Sequence, residues 1–180
     1  MDESKTTFVG VTIKTVITYT VTYFIFGVLA STIFDYGTLF ATTSLNLLMR
    51  PTSDPMVMAG PLFQPIRGLL FGIVFFLLRD ILFGRKNGWL VMWIMLVFVG
   101  ILGTFGPTPG SIEGMVYTTI PLAVQLIGLP EVVIQALVFS GVLFYWVTHP
   151  QKRWLKWTMA VAFFIVLVLP VLGLLVGPQS

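Results

Sequence analysis

Residues 60–80 read GPLFQPIRGLLFGIVFFLLRD, an apolar run that carries Arg67 towards one end and Arg79 towards the other. A helix needs about 20 apolar residues to cross the hydrocarbon of a bilayer, and this run supplies them. Twelve positions separate the two arginines, or ~18 Å along a helix, and they point to faces about 120° apart. They are too far apart to clamp one small ligand. Arg79, followed by Asp80, reads as an anchor in one headgroup layer, and Arg67 as an outer anchor or an anion site.

Composition extends this reading to the whole chain. The 180 residues are 57% hydrophobic and 9% charged, with a mean hydropathy of +0.97. A soluble domain carries about 25% charged residues, so this chain has too few to cover itself in water. Its length fits one integral membrane domain over residues 1–180. Cysteine is absent, which excludes disulfides, thiolate metal sites and thiol redox chemistry. The net charge of +3 lies in short basic clusters between apolar runs. That is the pattern of membrane loops rather than of a nucleic-acid surface. The first apolar stretch is too long for the core of a signal peptide, and FDYG follows it, so no cleavable leader is expected.

The expected fold is an all-α polytopic membrane protein with about five spans, at 15–34, 65–83, 89–105, 130–148 and 154–176. Pro65 reads as a first-turn residue, as does Pro130 beside Glu131, and Pro170 marks a kink. Segments 38–49 and 111–129 are too short or too broken to span, and read as re-entrant or interfacial helices on the outer side. Basic residues cluster at Arg79, Arg85 and Lys86, at Lys152, Arg153 and Lys156, and near Lys5 and Lys14. Five spans put all three clusters on the cytoplasmic side, with the N-terminus inside and the C-terminus outside; six would expose HPQKRW to the outer side.

Arg67 is the first site residue. Read as a first-turn residue, it sits where the helix dipole disfavours a cation, and its side chain leans outward towards the headgroups. Gln64 shares its face, and Arg50 lies in the loop before it. Together these three make a donor-rich spot for a carboxylate or phosphate, with Glu113 as the candidate ion-pair partner within the chain. Glu113 lies in GPTPGSIEG (106–114), where Ser111 is placed to cap a short helix. Helix packing is assigned to Thr15, Thr18 and Thr22, which share a face, and to Gly68 and Gly72, a GxxxG step. Gln125 and Gln135 are mid-segment amides that need partners in a dry setting.

Chemistry-bearing constellations are missing from the sequence. His149 is the single histidine and stands beside a basic loop. No nucleophile has a placed base, no phosphate-binding loop appears, and neither a metal nor a cofactor is expected. The sequence therefore reads as a non-catalytic membrane protein that serves as a helix-packing or accessory subunit. The alternative is a small oligomeric transporter, channel or lipid-binding protein with an anion vestibule near Arg67. Membrane lipids and other membrane subunits, or copies of the chain itself, are the expected partners; nucleic acid is not.

Overall fold

The computed structural model describes residues 7–176, so Lys5 and both chain ends lie outside the described residues. Those residues are mostly helical, with no strand among them. Helix α1 runs Phe8–Ile33, α2 Tyr36–Thr42, α3 Pro55–Met58, α4 Gly60–Leu77 and α5 Arg79–Leu82. Then come α6 Gly88–Val97, α7 Ile112–Tyr117, α8 Leu122–Ile127, α9 Leu129–Thr148 and α10 Arg153–Val176. A 3-10 turn covers Ser44–Leu47, and a π turn, Phe98–Leu102, ends α6. Four helical stretches are long and apolar enough to cross a membrane: Phe8–Ile33, Gly60–Leu77, Leu122–Thr148 and Arg153–Leu175. The fifth expected span survives as a shorter apolar helix, Gly88–Leu102.

Several boundaries differ from the sequence reading, each for a local reason. α1 starts at Phe8 rather than at residue 15, because the Thr7 hydroxyl caps it by accepting from the Gly10 N–H at 3.2 Å. Lys14 therefore lies inside the helix, where its long stem lets Nζ donate to the Trp146 carbonyl at 3.2 Å. α4 starts at Gly60 with Pro61 in its first turn, so Pro65 lies within the helix and not at its start. Segment 111–129 breaks at residues 118–121 into α7 and α8, because Pro121 cannot continue a helix from the preceding turn.

The long helices alternate in direction. Phe8 meets Phe76, while Thr12 faces Gly72 and Val16 faces Gly68, so α1 and α4 are antiparallel. A methyl group on Gly68 would sit 2.8 Å from the Val16 Cα, and one on Gly72 2.9 Å from the Thr12 Cα. Only glycine lets the two backbones meet there. Lys14 touches Trp146 and Tyr19 stacks edge-on with Phe139, so α9 also runs against α1. α6 turns up at Gly88, where a Cβ would collide with the Leu82 carbonyl, and reaches Glu131 and Val132 with Gly100 and Ile101. α10 runs parallel to α1, with Leu155 and Met159 packed near Trp146 and Gly173 near Met58.

This alternation gathers the charges. Lys14, Arg79, Arg85, Lys86, Lys152, Arg153 and Lys156 fall at one end of the bundle with Asp80; Asp35, Arg50, Asp54, Glu113 and Glu131 fall at the other. The core between them is aromatic and aliphatic. Tyr19, Phe71, Phe75 and Phe139 form a cluster with ring centroids 5.0–6.3 Å apart, continued towards the basic end by Met92, Leu143, Val147 and Leu82.

At the acidic end GPTPGSIEG folds into a compact knot. Gly110 takes a φ of +84°, a region that favours glycine. The Ser111 hydroxyl donates to the Thr108 carbonyl at 2.7 Å and accepts from the Gly114 N–H at 2.9 Å, capping α7. Gln125 ties α8 to this knot. Its amide donates to the carbonyls of Ile120 at 2.8 Å and Gly114 at 3.3 Å, and its oxygen accepts from the Gly110 N–H at 3.4 Å.

Candidate functional site

Arg67 is the eighth residue of α4, about 10 Å below the helix start at 1.5 Å per residue. That corrects the first-turn placement and with it the dipole argument, which applies only to the terminal turn. The guanidinium is not drawn outward. It lies 5.7 Å from the Tyr19 ring centroid and 5.8 Å from that of Phe71, one turn further into the bundle. Both distances are within cation–π range. Among the described residues no carboxylate stands within ion-pair distance of it.

The other members of the expected anion site are engaged elsewhere. Arg50 pairs with Asp54 at 3.0 Å in the loop before α3. The Met56 N–H first, and then that contact, hold the Asp54 carboxyl below the usual carboxylate range. Gln64 turns back on its own helix and donates to the Gly60 carbonyl at 3.1 Å. Glu113 sits in the first turn of α7, where the helix dipole favours an acid.

The carboxylate that shares a space with Arg67 is Glu131. A cavity of about 120 Å³ between α1, α4, α6 and α9 is lined by Tyr19, Tyr23, Arg67, Gln135 and Glu131, with Gly100 of the π turn on its wall. A π turn adds a residue to the helix and often marks a working site; here it brings the bare backbone of Gly100 to the cavity. A second pocket, of about 540 Å³, opens at the acidic end between α1, the α2–α3 segment and α10. Phe24, Val28, Phe40, Met58 and Leu169 make it apolar, and Gly27, Pro170 and Gly173 keep it wide. Tyr23 and Glu131 belong to both spaces and form the wall between them.

Glu131 opens α9, which explains its place near an N-terminus. It also accepts a hydrogen bond from the Tyr36 hydroxyl of α2. Burial first, and then this carboxylate, push the Tyr36 phenol up, so it keeps its proton and donates. α2 owes its position to Asp35, which takes a φ of 44° and caps the helix by accepting from the Thr38 N–H at 3.4 Å. The Thr38 contact holds the Asp35 carboxyl below its usual range. Tyr36 also stacks on Phe40 at 5.1 Å, so α2 presents an aromatic pair to the pocket.

The predicted packing residues lie inside the chain. Thr15, Thr18 and Thr22 are buried on α1, and Thr15 and Thr22 each donate to a backbone carbonyl four residues back at 2.8 Å. Gly68 and Gly72 are buried against α1. The hydroxyls of Thr12, Thr18, Thr20 and Ser140 are buried with no partner among the described residues. His149 stacks on Tyr145 at the basic end, away from both cavities. Among the described residues no group of His, Asp and Glu is placed to hold a metal ion.

Sequence reasoning took Glu131 only for a helix-start residue and passed over Tyr23 and Tyr36. The available signal was an ionisable residue inside an apolar segment, which by itself marks a site. Compared with protein-family models, curated proteins and solved structures, the chain matches none.

Proposed function

We propose that this protein is a membrane-embedded binding or carrier protein for a small amphipathic molecule, taken in through the pocket at the acidic end. The observation that carries the reading is the position of Glu131 on the wall between an apolar pocket of about 540 Å³ and a charged cavity of about 120 Å³. The larger volume falls within the ~300–1,000 Å³ of small-molecule sites, which are mostly apolar with a few placed polar groups. An ionisable residue held within a spanning segment also favours a binding or transport role over plain packing. The Thr and Gly faces through which an accessory subunit would pack on partners are occupied by the chain's own helices.

The membrane arrangement belongs to the same proposal. Gly88–Leu102 is the fifth crossing, and the basic end faces the cytoplasm because Lys and Arg favour that side. The pocket then opens towards the outer side, and the aromatic cluster of Tyr19, Phe71, Phe75 and Phe139 closes the cytoplasmic half. Self-association would complete a path if the molecule is moved across, since five spans enclose little space.

Native mass spectrometry of the detergent-released protein tests the binding role. The expected result is a bound amphiphile on the unaltered chain that is lost in Gly27→Trp. A Cβ at Gly27 would meet no atom within 4 Å, and Gly27 lines the pocket, so an indole there is placed to fill it. Gly141→Trp, also in open space but away from the pocket, should keep it. Equal retention in all three proteins would refute the reading.

A further inference from the structure

The proposed pocket leaves the chemistry of its ligand open, and the smaller cavity narrows it. Arg67 and Glu131 line one space of about 120 Å³, yet among the described residues they form no ion pair with each other. Opposite charges within a bilayer attract strongly, because little solvent screens them. Two such charges held apart by a cavity leave each with an unfilled requirement for a counter-charge. At ~30 Å³ per water the cavity of about 120 Å³ has room for about four waters, enough to admit a small polar head.

The order of the charges selects among amphiphiles. Glu131 lies at the border with the apolar pocket, whereas Arg67 lines only the inner cavity. A ligand lying along this path meets apolar walls first, then a carboxylate, then a guanidinium. A phospholipid with its phosphate next to the tails and an amine beyond has the opposite order. Resting on the pocket reading above, we infer that the ligand is an ammonium carboxylate with an apolar body, such as an amino acid with a long apolar side chain, whose two charged groups branch from one carbon and can turn separately to Glu131 and to Arg67. Its ammonium sits on Glu131 between the rings of Tyr23 and Tyr36. Its carboxylate reaches Arg67, and the apolar body fills the space between α1 and α10. Aromatic faces around the carboxylate suit an ammonium group, and a guanidinium offers a carboxylate two parallel donors. Gln135, on the same cavity wall, supplies a further amide to the head.

Equilibrium binding to the protein in lipid nanodiscs tests this, with tritiated 2-aminododecanoic acid as the probe. Its primary amide lacks the negative charge, and its N-acetyl form lacks the positive charge. Each should compete at least about tenfold more weakly than the parent, since a charge-assisted contact is lost. Arg67→Gln should abolish the difference between acid and amide, and Glu131→Gln the difference between amine and N-acetyl form. If the three compounds compete equally and Gly27→Trp removes all of them, the head-group assignment falls and the pocket stands. If the probe shows no saturable binding while the amphiphile lost in Gly27→Trp is of another class, the assignment also falls alone. If Gly27→Trp changes nothing and no probe binds, both fail, and the cavity holds water only.

Discussion

Gly68→Ala places one methyl group in the close contact between α1 and α4. The new Cβ would lie 2.8 Å from the Val16 Cα and 3.4 Å from the Val16 carbonyl oxygen. Carbon atoms rest at about 3.5–4.0 Å, so α1 and α4 must part by roughly 1 Å at that level. Backbone is what the methyl meets, so no side-chain rotation relieves it. A gap of ~0.5–1 Å forfeits a quarter to a half of each dispersion contact along the seam. Helices in a bilayer rely on such contacts, because lipid offers no hydrophobic drive between them. Overpacking of this kind costs about 1–3 kcal/mol. The same change at Gly141 meets nothing within 4 Å, so it gains only the preference of a helix for Ala, about 1 kcal/mol. Subtracting the two variants removes that preference and leaves the seam. Reversible unfolding in mixed micelles, followed by tryptophan fluorescence, should place Gly68→Ala about 1–3 kcal/mol below Gly141→Ala. Equal stability of the two would refute the close contact between α1 and α4.

Gln125→Leu should cost about 1–3 kcal/mol in the same assay, because the carbonyls of Gly114 and Ile120 and the Gly110 N–H lose a buried partner; amide exchange should rise across 106–120, and unchanged exchange there would count against the knot. Tyr36→Phe deletes the donor to Glu131, so exchange in α2 should speed up while that in α9 holds, and identical α2 exchange would mean that stacking on Phe40 alone seats the helix. Single cysteines at Asn87 and Gln151 should resist an impermeant thiol reagent applied from outside, and one at Asn46 should react; labelling at Gln151 would overturn the five-crossing orientation.

Legible in the residues alone were helical stretches long and apolar enough to cross a bilayer, and roughly where they lie. That follows from 9% charge and from apolar runs bounded by Gly and Pro, because span length and hydrocarbon thickness are a one-dimensional match. Glu113 at a capped helix start was legible for the same reason: caps and dipoles act within a turn. Helix boundaries at Thr7 and Pro61 were not, since a cap at an earlier residue competes with the apolar edge of the run. The tertiary structure alone decided which faces meet. Gly68 and Gly72 were readable as a contact step, but the partner turned out to be α1 of the same chain. Arg67 was readable as a cation in search of a counter-charge. Its neighbours proved to be Tyr19 and Phe71, and the carboxylate across its cavity is Glu131, 64 positions away in sequence. A cavity is bounded by helices that are remote along the chain and joined by loops that carry no record of the angle at which they pack. The electrostatics of Arg67 therefore became visible only once α1, α4, α6 and α9 stood side by side.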